Sequence, residues 1–261
     1  MLPKLLNIPL QKYDNNIEKA LSHFQTPLLS NIEFELEVIN IIDSFLKRNL
    51  TIKEHFDSLL REKYQSNRKS KPLTRVEFFS TLTLEEYTTI KSIPAINPFN
   101  NYVKFLESVE ENYLSSFTKE VLEFINKVET TSMTRMYKIP VLRSFIKDSR
   151  FMKSVSLSEI QTTFKSFYSD VINYSDIKNQ KNVTDLVLIG NAQARIIITN
   201  PIKYLCQSID EINYDNSNKV LTIDIPYDHL NSSEFIEQYI DVLNFRELEY
   251  RTTRLDKRIK S

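Results

Sequence analysis

The side chains able to do chemistry in this chain are scattered rather than grouped. The three histidines, His23, His55 and His229, each lack a second histidine or a cysteine at ligand spacing, so no metal site is expected. Cys206 is the single cysteine, which leaves neither a disulfide framework nor a thiolate zinc site. Gly190 is the single glycine, so there is no glycine-rich phosphate loop, and few tight primed turns are expected. Ser132 and Thr134 have no partnered histidine, which removes triad chemistry. Glu33, Glu35 and Glu37, like Glu110 and Glu111, are interleaved with apolar helical positions and read as solvated faces rather than magnesium ligands. One pairing keeps acid/base potential. Arg48-Asn49 followed by His55 offers a guanidinium for phosphate and an imidazole for proton transfer, with a helix break expected between them.

Basic residues are the remaining signal. Arg135, Lys138 and Arg143 thread through the start and outer side of one segment. Lys178 and Lys181 fall in a polar stretch, Lys219 beside an expected turn, and Arg251, Arg254, Lys257, Arg258 and Lys260 near the end of the sequence. Cations that converge on one face neutralise phosphates and give a salt-dependent affinity, whereas scattered ones only solubilise. The candidate nucleic-acid-binding set is Arg135, Lys138, Arg143, Lys178, Lys181, Lys219, Arg254 and Arg258. No catalytic residue, metal ligand or cofactor is assigned.

The elements that must position these residues are mostly helical. With 41% hydrophobic and 26% charged residues in 261, the chain can bury a substantial core. Thirty-four basic and 34 acidic residues cancel, so any basic surface must be local. No apolar run approaches the ~18 residues of a membrane span, and the N-terminus lacks the pattern of a secretory signal, so a cytoplasmic protein without membrane contact is expected. Apolar stripes at three- and four-residue spacing predict helices over 32–48, from Ile52 to about Leu60, around Phe78, from Tyr102 to Tyr113 and over 116–128. Thr51 with Glu54 and Ser156 with Glu159 read as capping boxes, and Thr74 as a further cap.

The organising stretch is 128–146. A Thr- and Ser-rich run closes one helix, and Met136, Ile139, Leu142, Phe145 and Ile146 open the next, with Pro140 in its first turn. A helix around Phe164 follows, then an exposed polar loop over 174–185, a helix at 191–198, and a core continued by Ile202, Tyr204, Leu205 and Ile209. Asp215-Asn216-Ser217-Asn218 then separates two short strands, and a long helix runs from Ser233 to about Lys257. Three helices followed by a hairpin is the element order of a winged helix. The expected fold is mainly α (α+β): a helical N-terminal bundle over 1–128, then a winged-helix-like unit and long basic C-terminal helix over 129–261. In that fold one helix enters the major groove and the hairpin grips phosphates; a winged helix that binds protein, or an unrelated α+β domain, shares the same element order.

The segment Glu129-Thr130-Thr131-Ser132-Met133-Thr134-Arg135-Met136-Tyr137-Lys138-Ile139-Pro140-Val141-Leu142 resembles part of the region C-terminal to the motor in large bacterial superfamily II DEAD/DEAH-box helicases of restriction and phage defence. Further blocks follow the same order: Lys71-Pro72-Leu73-Thr74-Arg75, Asn101-Tyr102-Val103-Lys104-Phe105-Leu106-Glu107, Phe164-Lys165-Ser166-Phe167-Tyr168, Asn200-Pro201-Ile202-Lys203-Tyr204-Leu205 and Phe245-Arg246-Glu247-Leu248-Glu249-Tyr250. The cover is about residues 52–254. The motor's P-loop, DEAD/DEAH box and arginine finger are absent, so the resemblance implies a non-catalytic accessory module. Its expected partners are DNA or RNA and a separate helicase or nuclease subunit. Two alternatives remain open. One is a protein-interaction subunit bridging a nuclease or helicase. The other is a HEPN-like ribonuclease, because the Arg48, Asn49 and His55 spacing is similar to that all-helical family's pattern.

Overall fold

The computed structural model describes residues 52–111 and 116–255, with backbone alone for Ile52, Lys53 and His55. The expected elements before Ile52, the cap at Thr51, the Arg48 to His55 pairing and Arg258 lie outside the described residues. The chain divides into two units, Met1–Leu59 and Leu60–Ser261. The protein is mainly helical with a small sheet, as the periodicity predicts.

Helix α1 (Ile52–Asn67) precedes α2 (Arg75–Ser80) and α3 (Leu84–Ser92). Both of the latter begin with a capping box. The Thr74 and Thr83 hydroxyls accept from the Glu77 and Glu86 N–H groups, and those glutamates accept from the cap N–H in return, which satisfies two otherwise orphaned donors per helix. A 3-10 turn at Pro98–Asn100 leads into α4 (Tyr102–Val109), followed by α5 (Lys119–Thr130). Aromatic residues from Tyr64 to Tyr102 close a first core, in which Phe78 stacks on Phe105 at 5.3 Å and Phe99 on Phe245 at 4.5 Å.

The second core begins at Val121 on α5. Its elements are α6 (Lys138–Arg143), β1 (Ile146–Lys147), β2 (Arg150–Phe151), β3 (Ser154–Ser156), α7 (Leu157–Ser169), α8 (Val171–Ile177), α9 (Val183–Val187) and α10 (Asn191–Ile197). A π turn (Ile198–Ile202) carries the chain through Pro201 into α11 (Lys203–Ser208), then β4 (Ile212–Asp215), β5 (Val220–Ile223), α12 (Tyr227–Leu230) and the 18-residue α13 (Ser233–Tyr250). The sheet is antiparallel in the order β3-β5-β4. A helix, then β3, then helices and the β4–β5 hairpin, whose second strand pairs with β3, is a winged-helix-like order. The Asp215 carboxylate forms the hairpin turn by accepting from the Ser217 and Asn218 N–H groups at 2.8 and 3.1 Å. The sequence boundary between 128 and 129 falls within α5.

Two expectations are corrected. The helix expected from Met136 through Ile146 stops at Arg143, and Ile146 instead pairs with Phe151 in a hairpin. Its turn residues Asp148 and Ser149 have φ of 48° and 60°, so a primed-type turn forms without glycine. Stacking of the fully buried Phe145 and Phe151 at 5.8 Å offsets the backbone cost. The exposed loop expected over 174–185 contains the end of α8 and the start of α9. Asp176, 2% exposed, accepts from the Met136 N–H at 3.0 Å, so a polar residue sits in the interior where hydropathy gives no sign of it.

A polar cluster joins the two cores. Arg75 is fully buried, and its Nε donates to Glu129 Oε1 at 2.5 Å while its Nη1 donates to Asp241 Oδ2 at 3.0 Å and Gln238 Oε1 at 2.7 Å. Its backbone N–H also reaches Asp241 at 2.9 Å, Glu129 accepts from the Tyr102 N–H at 3.3 Å, and the guanidinium lies 4.9 Å from the Tyr102 ring centroid. Burial alone would push the Arg75 guanidinium down, but the two carboxylates outweigh it and hold it above its ordinary value. Arg75→Met leaves two buried carboxylates without their counter-charge and should cost about 3–5 kcal/mol, read as a lowered urea midpoint. A loss within the about 0.5 kcal/mol range of surface substitutions would refute the assignment.

The capping boxes make a pH prediction. N–H donation from Thr74 and Ser156 is the main cause that holds the Glu77 and Glu159 carboxyls below the usual glutamate range. A depressed carboxyl contributes stability that is present above its unfolded value, near about 4.3, and is lost as pH falls through the folded value. Stability should therefore decline between about pH 4.5 and about pH 3, and less steeply in a Glu77→Gln/Glu159→Gln double variant. Parallel profiles for the two proteins would remove these carboxyls as a cause.

Candidate anion-binding cleft

The segment between α5 and α6, residues 131–137, is held from beneath by side chains of distant elements. Arg246 Nη2 donates to the Thr131 carbonyl, and the Tyr250 hydroxyl shares its one proton between the Thr134 carbonyl at 2.9 Å and Asp176. Asp176 accepts from the Met136 N–H at 3.0 Å and from Tyr250 Oη at 2.8 Å, and Arg135 donates to the Asp176 carbonyl. A backbone with its carbonyls and N–H groups fixed in this way has a defined outer face.

That face forms one wall of a cleft of about 410 Å³. Ser132, Met133, Thr134, Arg135, Tyr137 and Lys138 line one side, and Asn200, Tyr204, Gln207 and Ser208 the other. No carboxylate lines it. A cleft beside Arg143 and Arg251 includes Asp170 and Glu247, and another beside Lys71 includes Glu234, Glu237 and Asp241. The sequence explains the contrast, because neither 130–147 nor 186–209 contains an aspartate or glutamate in a chain with 34 of them.

Lys138 is the exceptional residue. It is 8% exposed, and its Nζ donates to Thr131 Oγ1 at 2.8 Å. Thr131 Oγ1 lies 3.2 Å from Ser208 Oγ, which donates to the Tyr204 carbonyl at 2.7 Å, so one ammonium proton enters a hydroxyl relay. No carboxylate among the described residues pairs with Lys138. Burial, then the nearby Arg246 guanidinium, lowers its pKa. A buried ammonium without a counter-charge is costly, typically by several kcal/mol, and an anion in the cleft relieves that cost. Burial raises the Tyr137 phenol, so it stays protonated as a donor at neutral pH. The arrangement suits anion binding.

The sequence-derived cations separate by environment. Arg135 and Lys138 share this cleft, although Arg135 is committed to Asp176, with Nη1 3.6 Å from Oδ1. Arg143 lines a different cleft and is held by Glu247 at 2.7 Å and Asn244 at 2.9 Å. Lys178 and Lys181 are exposed between α8 and α9. Lys219 is exposed at the β4–β5 turn, bonded to Asn216 at 2.8 Å, and Arg254 is exposed with its guanidinium 5.2 Å from the Tyr250 ring centroid.

Tyr204, read as core from the sequence, is 49% exposed. The buried stripe runs through Ile202, Leu205 and Ile209, and position 204 lies off it, so stricter application of the 3.6-residue period would have placed it outside. Asn191, Arg195, Thr199, Lys203, Tyr204 and Gln207 are likewise exposed along α10, the π turn and α11. Among the described residues no group of three His, Cys, Asp or Glu could hold a metal, and no helix is long and apolar enough to cross a membrane. No protein-family model, no curated protein and no solved structure matches the chain.

Proposed function

We propose that the protein is a non-catalytic nucleic-acid-binding module that works beside a separate helicase or nuclease subunit in a restriction or antiphage system. The observation that carries the nucleic-acid part is the acid-free face formed by α10, the π turn and α11 together with the adjoining cleft. Arg195 and Lys203 supply exposed charge there without a carboxylate partner among the described residues, Asn191, Thr199, Asn200 and Gln207 supply hydrogen-bonding groups, and Tyr204 supplies an aromatic surface. Cations position phosphates, amides and hydroxyls bond to base edges or sugars, and an exposed ring stacks on a base. In a winged-helix order this face belongs to the helix preceding the hairpin, and Lys219 on the hairpin is available to a neighbouring phosphate. The helicase or nuclease partner rests on the sequence resemblance.

A second reading, a protein-interaction subunit, is favoured by a different observation. Val171 is 82% exposed, Ile172 50%, Leu188 58% and Ile189 52%, an unusual expenditure of large aliphatic side chains on a surface.

Fluorescence anisotropy with a duplex and a single-stranded oligonucleotide separates the two. Binding should weaken steeply with salt, and Arg195→Glu/Lys203→Glu should lower the log–log salt slope by about 2, one counterion contribution per lost phosphate contact. No binding at low salt, or an unchanged slope in the double variant, would move the assignment to the protein-interaction subunit.

A further inference from the structure

We infer that the cleft between residues 132–138 and α11 receives a single phosphate group, the terminal phosphate of a nucleic-acid strand, with Lys138 as its buried counter-charge. This deepens the nucleic-acid reading and, in its strand-end part, rests on it.

Charge pairing identifies the anchor. Arg143 and Arg251 are held by Glu247, and Arg135 by Asp176, so an incoming anion at any of them competes with a carboxylate already in place. Lys138 has no such competitor among the described residues. Of its three N–H donors one is used by Thr131, and Lys138 is one of the residues that line the cleft. Arg246, whose Nη2 holds the Thr131 carbonyl, stands behind it and is itself paired with Glu249 at 3.1 Å. Buried charges are paired, coordinated or given up by loss of the proton, and an anion in the cleft is the partner that keeps this ammonium charged.

Shape and chemistry select a strand end. Lys138 is recessed, and a terminal phosphomonoester projects from its strand with three free oxygens, whereas an internal phosphodiester has two and a chain leaving on both sides. The monoester also carries about −1.5 to −2 charge at neutral pH, the stronger match for an uncompensated ammonium. The volume of about 410 Å³ lies in the range of small-molecule sites and accommodates one nucleotide. Exposed Tyr204 on the opposite wall offers its ring to the terminal base.

Two measurements on the full chain test this. The first is the melting temperature with added inorganic phosphate against chloride at equal ionic strength, for wild type and Lys138→Met. Wild type should rise with phosphate and the variant should not. Without phosphate the variant should melt at or above wild type, because an uncompensated buried charge has become a thioether of similar reach; a purely structural lysine would give the opposite order. The second compares oligonucleotides of one sequence bearing a 5′-phosphate, a 3′-phosphate or hydroxyls at both ends. One phosphorylated form should bind about tenfold tighter than the hydroxyl form, and Lys138→Met should erase that difference while still binding the hydroxyl form. If Lys138→Met does not fold, the comparison of ends on wild type alone still decides. Equal affinity for all three ends overturns the strand-end assignment. An absence of binding to every oligonucleotide overturns the nucleic-acid reading along with it, and phosphate stabilisation of wild type alone then marks a receptor for another phosphorylated molecule. Identical phosphate responses in wild type and variant overturn Lys138 as the anchor.

Discussion

The ion pair between Arg75 and Glu129, shared with Asp241, is the constraint on which the other contacts depend. Three charged side chains in the interior are tolerated only when each finds its partners at hydrogen-bond distance, since the desolvation cost otherwise exceeds the attraction. Here the partners come from α2, α5 and α13, with the Tyr102 backbone at the start of α4 completing Glu129. Apolar packing alone would allow these helices to slide by a fraction of a turn. The fixed geometry of a guanidinium fork does not. Once Asp241 is placed, Tyr239 and Val242 enter the second core, Phe245 reaches the first, and Arg246 and Tyr250 lie beneath the 131–134 backbone. The outer wall of the cleft is therefore set by a polar contact on the other side of the helix.

Local devices were legible in the sequence and remote ones were not. The cap at Thr74, the box at Ser156 and the turn at Asp215 are decided by residues within three or four positions of one another, so their residue types suffice. Strand β3 is three residues long and forms only because Ser154 to Ser156 meet Val220 to Thr222, more than sixty positions later in sequence. Nothing in Ser-Val-Ser announces that. The hairpin at Asp148 and Ser149 was missed for a related reason. Scarcity of glycine suggests few tight turns, yet two stacked phenylalanines flanking the turn supply enough stabilisation to hold two non-glycine residues at positive φ.

The cleft shows the same division at the level of charge. Arg135, Lys138 and Arg143 look alike in the sequence, three cations within nine positions. The folded chain gives two of them carboxylates at positions 176 and 247, separations that no window along the sequence spans. What distinguishes Lys138 is a missing partner, and that can be recognised only when the surrounding residues are in place. The acid-free character of 130–147 and 186–209 was visible all along, but its meaning depends on the two stretches facing each other across one cleft.

An ammonium buried without a carboxylate partner among the described residues is a standing cost to the free protein, and a lowered pKa is the one relief the surroundings give Lys138. A flexible loop would turn its four-carbon stem outward and hydrate the charge at little expense. Residues 131–137 cannot do so, because Arg246, Tyr250 and Asp176 hold the backbone at positions 131, 134 and 136, just before the lysine, and Thr131 holds the ammonium directly. Rigid support around a locally unfavourable group is the arrangement expected of a preorganised binding site, where the cost is carried before the ligand arrives rather than at the moment of binding. A purely structural solution at this position was chemically simple, since one acidic residue among the ten lining the cleft would neutralise the charge. All ten lack it, and the positive potential is left open toward the cleft.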